Sequence, residues 1–156
     1  IDGFDISANP MEAKALIGYL PEGAPCYGDM TTQGFLNFIA QIRGYRGEQI
    51  VTRVQHVIEE VELQSVCQQT IDTLSKGFKR RVGLAQAIMH NPKVLILDEP
   101  TDGFSTEQLD KIRDLLQQIQ MKQIIIVSHE KKIESFVDHV VQVRKQDHVS
   151  EVFVSG

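Results

Sequence analysis

The sequence predicts an α/β fold in which a mostly parallel sheet carries an inserted block of helices. Two apolar runs, at residues 94–97 and 124–127, do not alternate with polar residues, as expected for strands buried on both faces of a parallel sheet. Between residues 31 and 63, apolar side chains instead recur every three or four positions, which is typical of amphipathic helices. Strands and helices alternate on both sides of this block, which indicates an α/β core with a helical insertion.

The N-terminal segment predicts two short strands separated by a brief helix. The first strand is expected around residues 1–4, and Asn9 and Pro10 open the helix. The second strand covers residues 16–20, and Pro21 closes it. Both strands are expected to belong to the sheet.

The helical insertion is expected to break at residues 44–47, where glycines interrupt the pattern. A third helix is predicted from Ser75 to Met89, and Asn91 and Pro92 end it. The remaining predicted elements are strands at residues 94–97 and 123–128, helices at 105–119 and 130–136, and strands at 140–143 and 149–154.

Composition excludes several classes of protein. The 156 residues are 42% apolar, which is enough for one packed domain. With 16 basic and 21 acidic residues, no basic field attracts nucleic acid, and no nucleic-acid partner is expected. Apolar runs are far shorter than the roughly 20 residues of a membrane-spanning helix. The two cysteines form neither a zinc motif nor a disulfide framework, which favours a reducing, cytosolic setting.

Two adjacent carboxylates, Asp98 and Glu99, stand where the first apolar run ends, and Pro100 follows them. Successive side chains on a strand point to opposite faces, so the two acids can address different atoms. One carboxylate can orient a hydrated Mg²⁺, while the other polarises a water molecule that attacks a γ-phosphate. The alternative is a solvated turn, but the apolar run before the pair and the proline after it favour a site.

His129 follows the second apolar run. A right-handed crossover through the intervening helix returns that strand to the edge that carries Asp98, and neighbouring strands lie about 5 Å apart. His129 is therefore predicted to reach the same phosphate, although a structural histidine is the alternative. The other histidines are interpreted as surface residues: His56, His90, His139 and His148.

Residues 74–78 open the third predicted helix, and three basic residues follow them. A helix amino terminus presents unpaired N–H groups, and Gly77 allows a phosphate to approach the backbone. Ser75, Lys76 and Gly77 are therefore candidates for an anion site. The alternative is an ordinary capped helix with a basic, solvated face.

Together these segments resemble the nucleotide-binding subunit of ABC transporters, over nearly the whole chain and in the family's order. Residues 74–78 resemble the signature sequence, 94–100 the Walker B strand with its catalytic glutamate, 101–105 the D-loop, His129 the switch histidine, and 18–22 the Q-loop. Residues 18–22 and Lys76 are most similar to subunits of ABC-2-type exporters.

The resemblance implies a partial P-loop NTPase core of the RecA-like type with an inserted helical subdomain that carries the signature. It divides the chain into a first part of the core at residues 1–22, the helical subdomain at 23–90 and a second part of the core at 91–156. The implied cofactors are ATP and Mg²⁺. The implied partners are a transmembrane permease subunit and a second ATPase subunit, with the protein on the cytoplasmic face of the cell membrane.

In that family arrangement Glu99 is the catalytic base or water-orienting residue, and Asp98 faces Mg²⁺ through water. His129 and Glu22 contact the γ-phosphate and the attacking water, and Glu22 is also a candidate metal contact. Residues 75–77 would bind the ATP held by the partner subunit. The implied activity is ATP hydrolysis that drives export.

The sequence also departs from the family pattern. It contains no GxxxxGK[ST] phosphate loop and no initiator methionine, so we expect a truncated chain that binds ATP poorly and is inactive in isolation. Glu22 stands where the family usually has glutamine, Lys76 and Phe78 replace glycine and glutamine of the signature, and Ser105 replaces the aspartate of the D-loop.

Two alternative functions stay open from the sequence. One is a soluble ABC-type ATPase that acts on ribosomes or DNA, although such proteins usually carry tandem cassettes or long coiled-coil insertions. The other is a non-catalytic fragment that serves as an interaction module. The transported substrate is not encoded in this fold.

Overall fold

The computed structural model describes residues 1–23, 26–101, 106–119, 121–146 and 149–155. The α-helices in these ranges are α1 (Pro10–Ala15), α2 (Thr32–Ile42), α3 (Glu48–Glu60), α4 (Lys76–Ile88) and α5 (Thr106–Gln118). The strands are β1 (Ile17–Leu20), β2 (Val94–Asp98), β3 (Gln123–Val127), β4 (Val140–Gln146) and β5 (Val149–Ser155). Short 3₁₀ turns lie at Gln64–Val66, Ile71–Thr73 and Lys131–Phe136.

In the described part of the chain, three parallel strands form the main sheet in the order β1-β2-β3, with β2 in the middle. Leu20 of β1 is paired with Leu97 of β2, and Asp98 of β2 is paired with Val127 of β3. The three strands therefore end together, at one edge of the sheet. Strands β4 and β5 form a separate antiparallel pair. The predicted α/β fold with a parallel sheet is confirmed.

The two apolar runs differ in burial. In β2, Leu95 and Leu97 are fully buried. In β3, Ile124 and Ile126 pack on the core, whereas Ile125 is 41% exposed. The prediction that both runs are buried on both faces is therefore wrong for β3. This strand lies at the edge of the sheet as described, and only one of its faces is covered.

The helical insertion has the predicted divisions. The Thr31 hydroxyl accepts a hydrogen bond from the Gly34 N–H at 3.1 Å and so caps the start of α2. Gly44 and Gly47 have positive φ angles of 96° and 52°, which turn the chain between α2 and α3. The apolar faces of the three helices meet in one core. Its fully buried members include Phe35, Leu36, Val54, Val57, Val61, Val82, Ile88 and Met89.

The predicted strand around residues 1–4 is wrong. The Phe4 N–H donates to the Ile1 carbonyl at 2.9 Å, and the Asp5 carboxylate accepts hydrogen bonds from the N–H groups of Ser7 and Ala8. The segment therefore satisfies its polar groups through local turns. Four residues with two apolar side chains do not specify a strand unless a neighbouring strand pairs with them.

The histidine predictions are partly wrong. His56 and His139 are exposed, as expected, and His148 lies outside the described residues. His90 is half-buried instead, and its Nε2 lies 3.0 Å from the Ile17 carbonyl oxygen. Burial lowers the pKa of His90. This histidine connects the end of α4 to the start of β1.

Candidate active site

The catalytic edge, defined here as the ends of β1, β2 and β3 with the residues that follow them, brings several polar side chains together. Glu99 directly follows β2, and its N–H donates to the Val127 carbonyl at 2.9 Å. Its φ angle is 43°, in the left-handed region that residues with a side chain rarely adopt. The chain therefore bends sharply at Glu99, next to the end of β3.

The Glu99 carboxylate is held by the two residues that follow β3. Its Oε1 accepts a hydrogen bond from the His129 N–H at 3.0 Å and lies 2.7 Å from Nδ1 of the His129 ring. Its Oε2 accepts from the Ser128 hydroxyl at 2.9 Å. The structure thus brings the predicted residues Glu99 and His129 into direct contact. The sheet order β1-β2-β3 is the reason, because β2 and β3 are neighbours.

These contacts also set the charge of Glu99. Burial raises the pKa of its carboxyl, but hydrogen bonds from His129 and Ser128 together outweigh burial, and the pKa lies below its ordinary value. Glu99 is therefore an ionised acceptor at neutral pH. A carboxylate with a lowered pKa is a weak base, which favours orienting a water molecule over removing its proton early.

A second layer of contacts supports Ser128. Its hydroxyl oxygen accepts a hydrogen bond from the Glu130 N–H at 3.1 Å. The Glu130 carboxylate accepts a hydrogen bond from the buried Thr101 hydroxyl at 2.7 Å, which lowers the pKa of Glu130. The sequence did not single out Ser128 or Glu130, and it placed Thr101 only within the stretch that resembles the D-loop. Their signal was only their place beside Glu99 and His129, because isolated Ser, Thr and Glu residues indicate no particular contact.

Asp98 faces the other side of the sheet edge. It is half-buried, and its Oδ2 accepts a hydrogen bond from the Tyr19 hydroxyl of β1 at 3.2 Å. Burial together with this bond raises the pKa of Tyr19. Asp98 therefore contacts β1 on one side of β2, while Glu99 contacts the residues that follow β3 on the other side. The contact from Tyr19 could not be predicted, because strand register is not readable from the sequence.

The donor set at this edge fits a magnesium ion that arrives with a nucleotide. In the described residues, no group of three or more His, Cys, Asp or Glu side chains is placed to hold a metal. Mg²⁺ usually keeps several waters and takes one or two carboxylates together with substrate phosphates. Asp98 supplies one such carboxylate, which is sufficient for a shared site and insufficient for a site built from protein alone.

Glu22 lies in the turn that follows β1, and its side chain is exposed. Leu20 pairs with Leu97, so this turn leaves the sheet at the same edge as Asp98 and Glu99. Within the described ranges Glu22 makes no hydrogen bond to either acid. The structure places it at the catalytic edge without fixing its side chain there.

The signature segment, residues 75–77, lies at the amino end of α4. The Ser75 hydroxyl accepts a hydrogen bond from the Phe78 N–H at 3.3 Å and caps the helix. Lys76 is exposed, and a side chain added at Gly77 would meet only the Ser75 oxygen, at 3.9 Å. No neighbour therefore requires glycine at position 77, which is consistent with space reserved for a ligand.

An open cleft of about 710 Å³ lies beside this segment. It is lined by Ser75 and Gly77 from α4 and by Lys111 and Leu115 from α5, among others. Asp98, Glu99 and His129 do not line it. The described residues therefore form two separate regions, the catalytic edge and the amino end of α4. Of residues 101–105, which resemble the D-loop, only Thr101 is described, and Ser105 lies outside the described residues.

Residues 1–102 match the family model described as ABC transporter. This match covers more than half of the chain, which therefore belongs to the ABC transporter family of ATP-binding proteins.

Particular relatives support the assignment. The chain is 28% identical to the ABC transporter ATP-binding protein NatA of Bacillus subtilis, over 100% of this chain and 63% of that protein. It is 33% identical to the methionine import ATP-binding protein MetN of Carboxydothermus hydrogenoformans, over 97% of this chain and 47% of that protein. The chain spans about half the length of the curated relatives it matches.

Solved structures confirm the P-loop NTPase fold. CbiO1 from Clostridium perfringens, part of the ABC transporter complex cbiONQ, superposes with a TM-score of 0.77 and 26% identity, over 84% of this chain and 54% of that one. A dimeric ATP-binding cassette bound to ADP and Pi has a TM-score of 0.72 and 20% identity, over 90% of this chain and 63% of that one. The second likeness concerns the fold alone.

In the described residues, no helix is long and apolar enough to cross a membrane.

Proposed function

We propose that this chain is part of an ATP-hydrolysing subunit in which Glu99 orients the water that attacks the γ-phosphate. The observation that carries the proposal is the set of contacts around the Glu99 carboxylate, which Ser128 and His129 hold at the end of the parallel sheet. In open α/β sheets, ligands bind outside the carboxyl ends of the strands, where this carboxylate lies.

In this proposal the reaction is in-line attack of water on the γ-phosphorus of ATP, which yields ADP and phosphate. Glu99 accepts a hydrogen bond from the water and fixes its direction. The His129 side chain is 75% exposed and can donate to a γ-phosphate oxygen, while its backbone N–H keeps hold of Glu99. Glu22, exposed at the same edge, is a further contact for the phosphate, the attacking water or the metal.

Asp98 has a different proposed role, because it lies on the other side of the strand end. It orients a Mg²⁺ that is bound by the nucleotide, through the water molecules of that ion. The ion supplies neutralisation of negative charge on the phosphate oxygens. The Tyr19 hydroxyl, at 3.2 Å, fixes the rotamer of Asp98 and leaves the second carboxylate oxygen for this contact.

Ser75, Lys76 and Gly77 are proposed to bind ATP held by a second ATPase subunit. Their position supports this role, because all three lie at the amino end of α4. Ser75 and Gly77 line a cleft that Asp98, Glu99 and His129 do not line. A helix amino terminus favours phosphate through its N–H groups and dipole. A second subunit is also supported by the solved cassette of similar fold, whose structure with ADP and Pi is dimeric.

The proposed assembly also contains a transmembrane permease subunit, with the ATPase at the cytoplasmic face of the cell membrane. Hydrolysis would drive export, which the similarity of residues 18–22 and Lys76 to ABC-2-type exporters supports. The division into core parts at residues 1–22 and 91–156 and a helical subdomain at 23–90 belongs to this proposal.

Turnover of MgATP by the full-length protein tests the role of Glu99. Glu99→Gln removes the negative charge but keeps the shape, so kcat should fall by about 100-fold or more. The dissociation constant for ATP should stay within about threefold, since Glu99 acts on water and not on the nucleotide. The matched control is Glu59→Gln, the same change at an exposed position of α3. Rapid turnover by Glu99→Gln would show that the assignment is wrong.

A further inference from the structure

Arg80 is a charged side chain buried in the second turn of α4, with 4% of its surface exposed. Burying a guanidinium costs free energy unless its N–H groups are bonded, so its partners indicate its purpose. Its Nη2 donates to the backbone carbonyl of Glu99 at 2.7 Å. Its Nη1 donates to the backbone carbonyl of Pro21 at 3.4 Å, a longer and weaker bond.

These two carbonyls belong to the turns that follow β1 and β2. Pro21 precedes Glu22, and Glu99 carries the proposed water-orienting carboxylate. Because Leu20 and Leu97 are paired, the two turns leave the sheet side by side. Arg80 therefore links one helix to both loops that carry the carboxylates proposed to act on water.

The backbone of Glu99 depends on outside support. Its φ angle of 43° is unfavourable for a residue with a side chain, so surrounding contacts must maintain it. On one side the Glu99 N–H is fixed by the Val127 carbonyl of β3. On the other side the Glu99 carbonyl is fixed by Arg80 of α4. The direction of the Glu99 side chain is therefore set by the sheet and by α4 together.

Arg80 also lies close to the signature segment. Ser75 precedes it by five residues, a distance of about 7.5 Å along a helix. A helix is stiff over this length, so a displacement of its amino end moves the guanidinium as well. A displacement caused by phosphate contact at residues 75–77 would consequently move the guanidinium that holds the Glu99 carbonyl.

We propose that Arg80 is a positioning residue that couples occupancy of the amino end of α4 to the placement of Glu99 and of the loop that carries Glu22. This inference rests on the proposed function, because it assumes that residues 75–77 bind a nucleotide from a second subunit. It assigns the coupling to the Arg80 side chain and to the backbone carbonyls of Pro21 and Glu99.

Steady-state turnover of MgATP by the full-length protein carrying Arg80→Lys tests the proposal. Lysine keeps the charge but replaces the planar fork by a single ammonium, which cannot bridge two carbonyls in the same geometry. We expect kcat to fall roughly 10- to 100-fold, as for small misplacements of a catalytic group. KM for ATP should stay within about threefold, because no direct contact with the nucleotide is removed.

Arg53→Lys is the matched control. Arg53 of α3 also donates to two backbone carbonyls, those of Ile88 and Met89, but it contacts neither the catalytic edge nor the cleft beside Ser75. Its kcat should stay within about twofold of the unmodified protein. Equal losses in the two variants would show that Arg80 has no special role.

A double-mutant cycle tests the coupling itself. Ser75→Ala should lower kcat by weakening the phosphate contact in the second subunit's site. If Ser75 acts on Glu99 through Arg80, the fold-loss of kcat in the double variant Ser75→Ala with Arg80→Lys should be smaller than the product of the two single fold-losses. In the control pair, the loss of kcat in Ser75→Ala with Arg53→Lys should equal the product of the two single losses. If the loss of kcat in both double variants equals the product of the single losses, Ser75 and Arg80 are not coupled and the inference is wrong.

The remaining outcomes are also decisive. A loss confined to KM, or an Arg80→Lys variant with unchanged kcat, contradicts the positioning role. If Arg80→Lys does not fold, Arg80→Gln takes its place, and failure of both to fold assigns Arg80 to stability and refutes the inference. Failure of the proposed function gives a different result, because Glu99→Gln would then turn over ATP normally.

Discussion

The catalytic edge and the amino end of α4 both carry polar residues suited to phosphate, but they are built in opposite ways. At the catalytic edge, the carboxylate of Glu99 is bonded to Ser128 and His129 of the same chain. At the amino end of α4, the Ser75 hydroxyl caps its own helix, Lys76 is exposed, and Ser75 and Gly77 line an open cleft. The first region is preorganised by the chain, and the second faces outward.

This difference indicates which region suits the chemical step and which suits binding of a phosphate from another molecule. Preorganised groups stabilise a transition state because they need no rearrangement during reaction, so the catalytic edge fits the site of chemistry. An exposed helix end with open space at Gly77 fits recognition of a phosphate that another molecule supplies. Variants at the edge should therefore affect the chemical step, and variants at the helix end should affect assembly-dependent activity.

The largest effect is expected from His129. His129→Ala removes the ring that contacts Glu99 and that is proposed to contact the γ-phosphate, so kcat of the full-length protein should fall by about 100-fold. His129→Asn is the matched variant, because its amide nitrogen can occupy the place of Nδ1 beside Glu99. Steady-state turnover should show partial recovery in His129→Asn. Full activity in His129→Ala would remove this residue from the mechanism.

Contact between His129 and Glu99 was predictable because it follows from topology. Two apolar runs separated by a helix predict neighbouring parallel strands, and their carboxyl ends then meet at one edge. The helices could also be predicted from the sequence, because the three- and four-residue spacing of apolar residues and the glycines at positions 44 and 47 are local signals. Local patterns therefore supplied the elements and the approximate place of the site.

Contacts that depend on register or on distant packing were not predictable. Tyr19 reaches Asp98 because β1 and β2 pair in one particular register, which no sequence pattern specifies. Arg80 looked like part of a basic surface face, but the rotation of α4 on its core buries it. Ile125 is exposed although its run is wholly apolar, because burial of a strand depends on what covers each face. These properties arise only when elements are assembled.

A smaller effect should distinguish the two possible roles of Ser75, helix cap and phosphate contact. Ser75→Asp keeps the cap, since aspartate caps as well as serine, but places a negative charge where phosphate is proposed to bind. Its unfolding free energy should stay within about 0.5 kcal/mol of the unmodified protein, while ATP turnover falls at least about tenfold.

Ser75→Ala provides the second variant. It removes the cap, which costs about 1 kcal/mol of stability, and it removes the proposed hydroxyl contact with phosphate, but it introduces no repulsion, so its turnover should fall less than that of Ser75→Asp. Chemical denaturation and turnover assays on both variants would separate the roles. Normal turnover by Ser75→Asp together with destabilised Ser75→Ala would leave Ser75 as a helix cap alone, and the comparison between the two regions would fail.

The smallest expected effect is a pH dependence of stability that belongs to the catalytic edge. The pKa of Glu99 is lowered in the folded chain, because the hydrogen bonds from His129 and Ser128 exceed the opposing effect of burial. A group with a lowered folded pKa contributes stability above its unfolded pKa, about 4.3 for glutamate, and loses it as pH falls through the folded value. The stability difference between the unmodified protein and Glu99→Gln should therefore shrink as the pH falls from 7 to 3.

Denaturant titrations at pH 7 and pH 3 measure this stability difference. When Ser128→Ala is present in both proteins, the difference should change less with pH, because one of the hydrogen bonds that lower the pKa of Glu99 is gone. An unchanged difference across this range would mean that the Glu99 contacts do not hold an ionised carboxylate in solution.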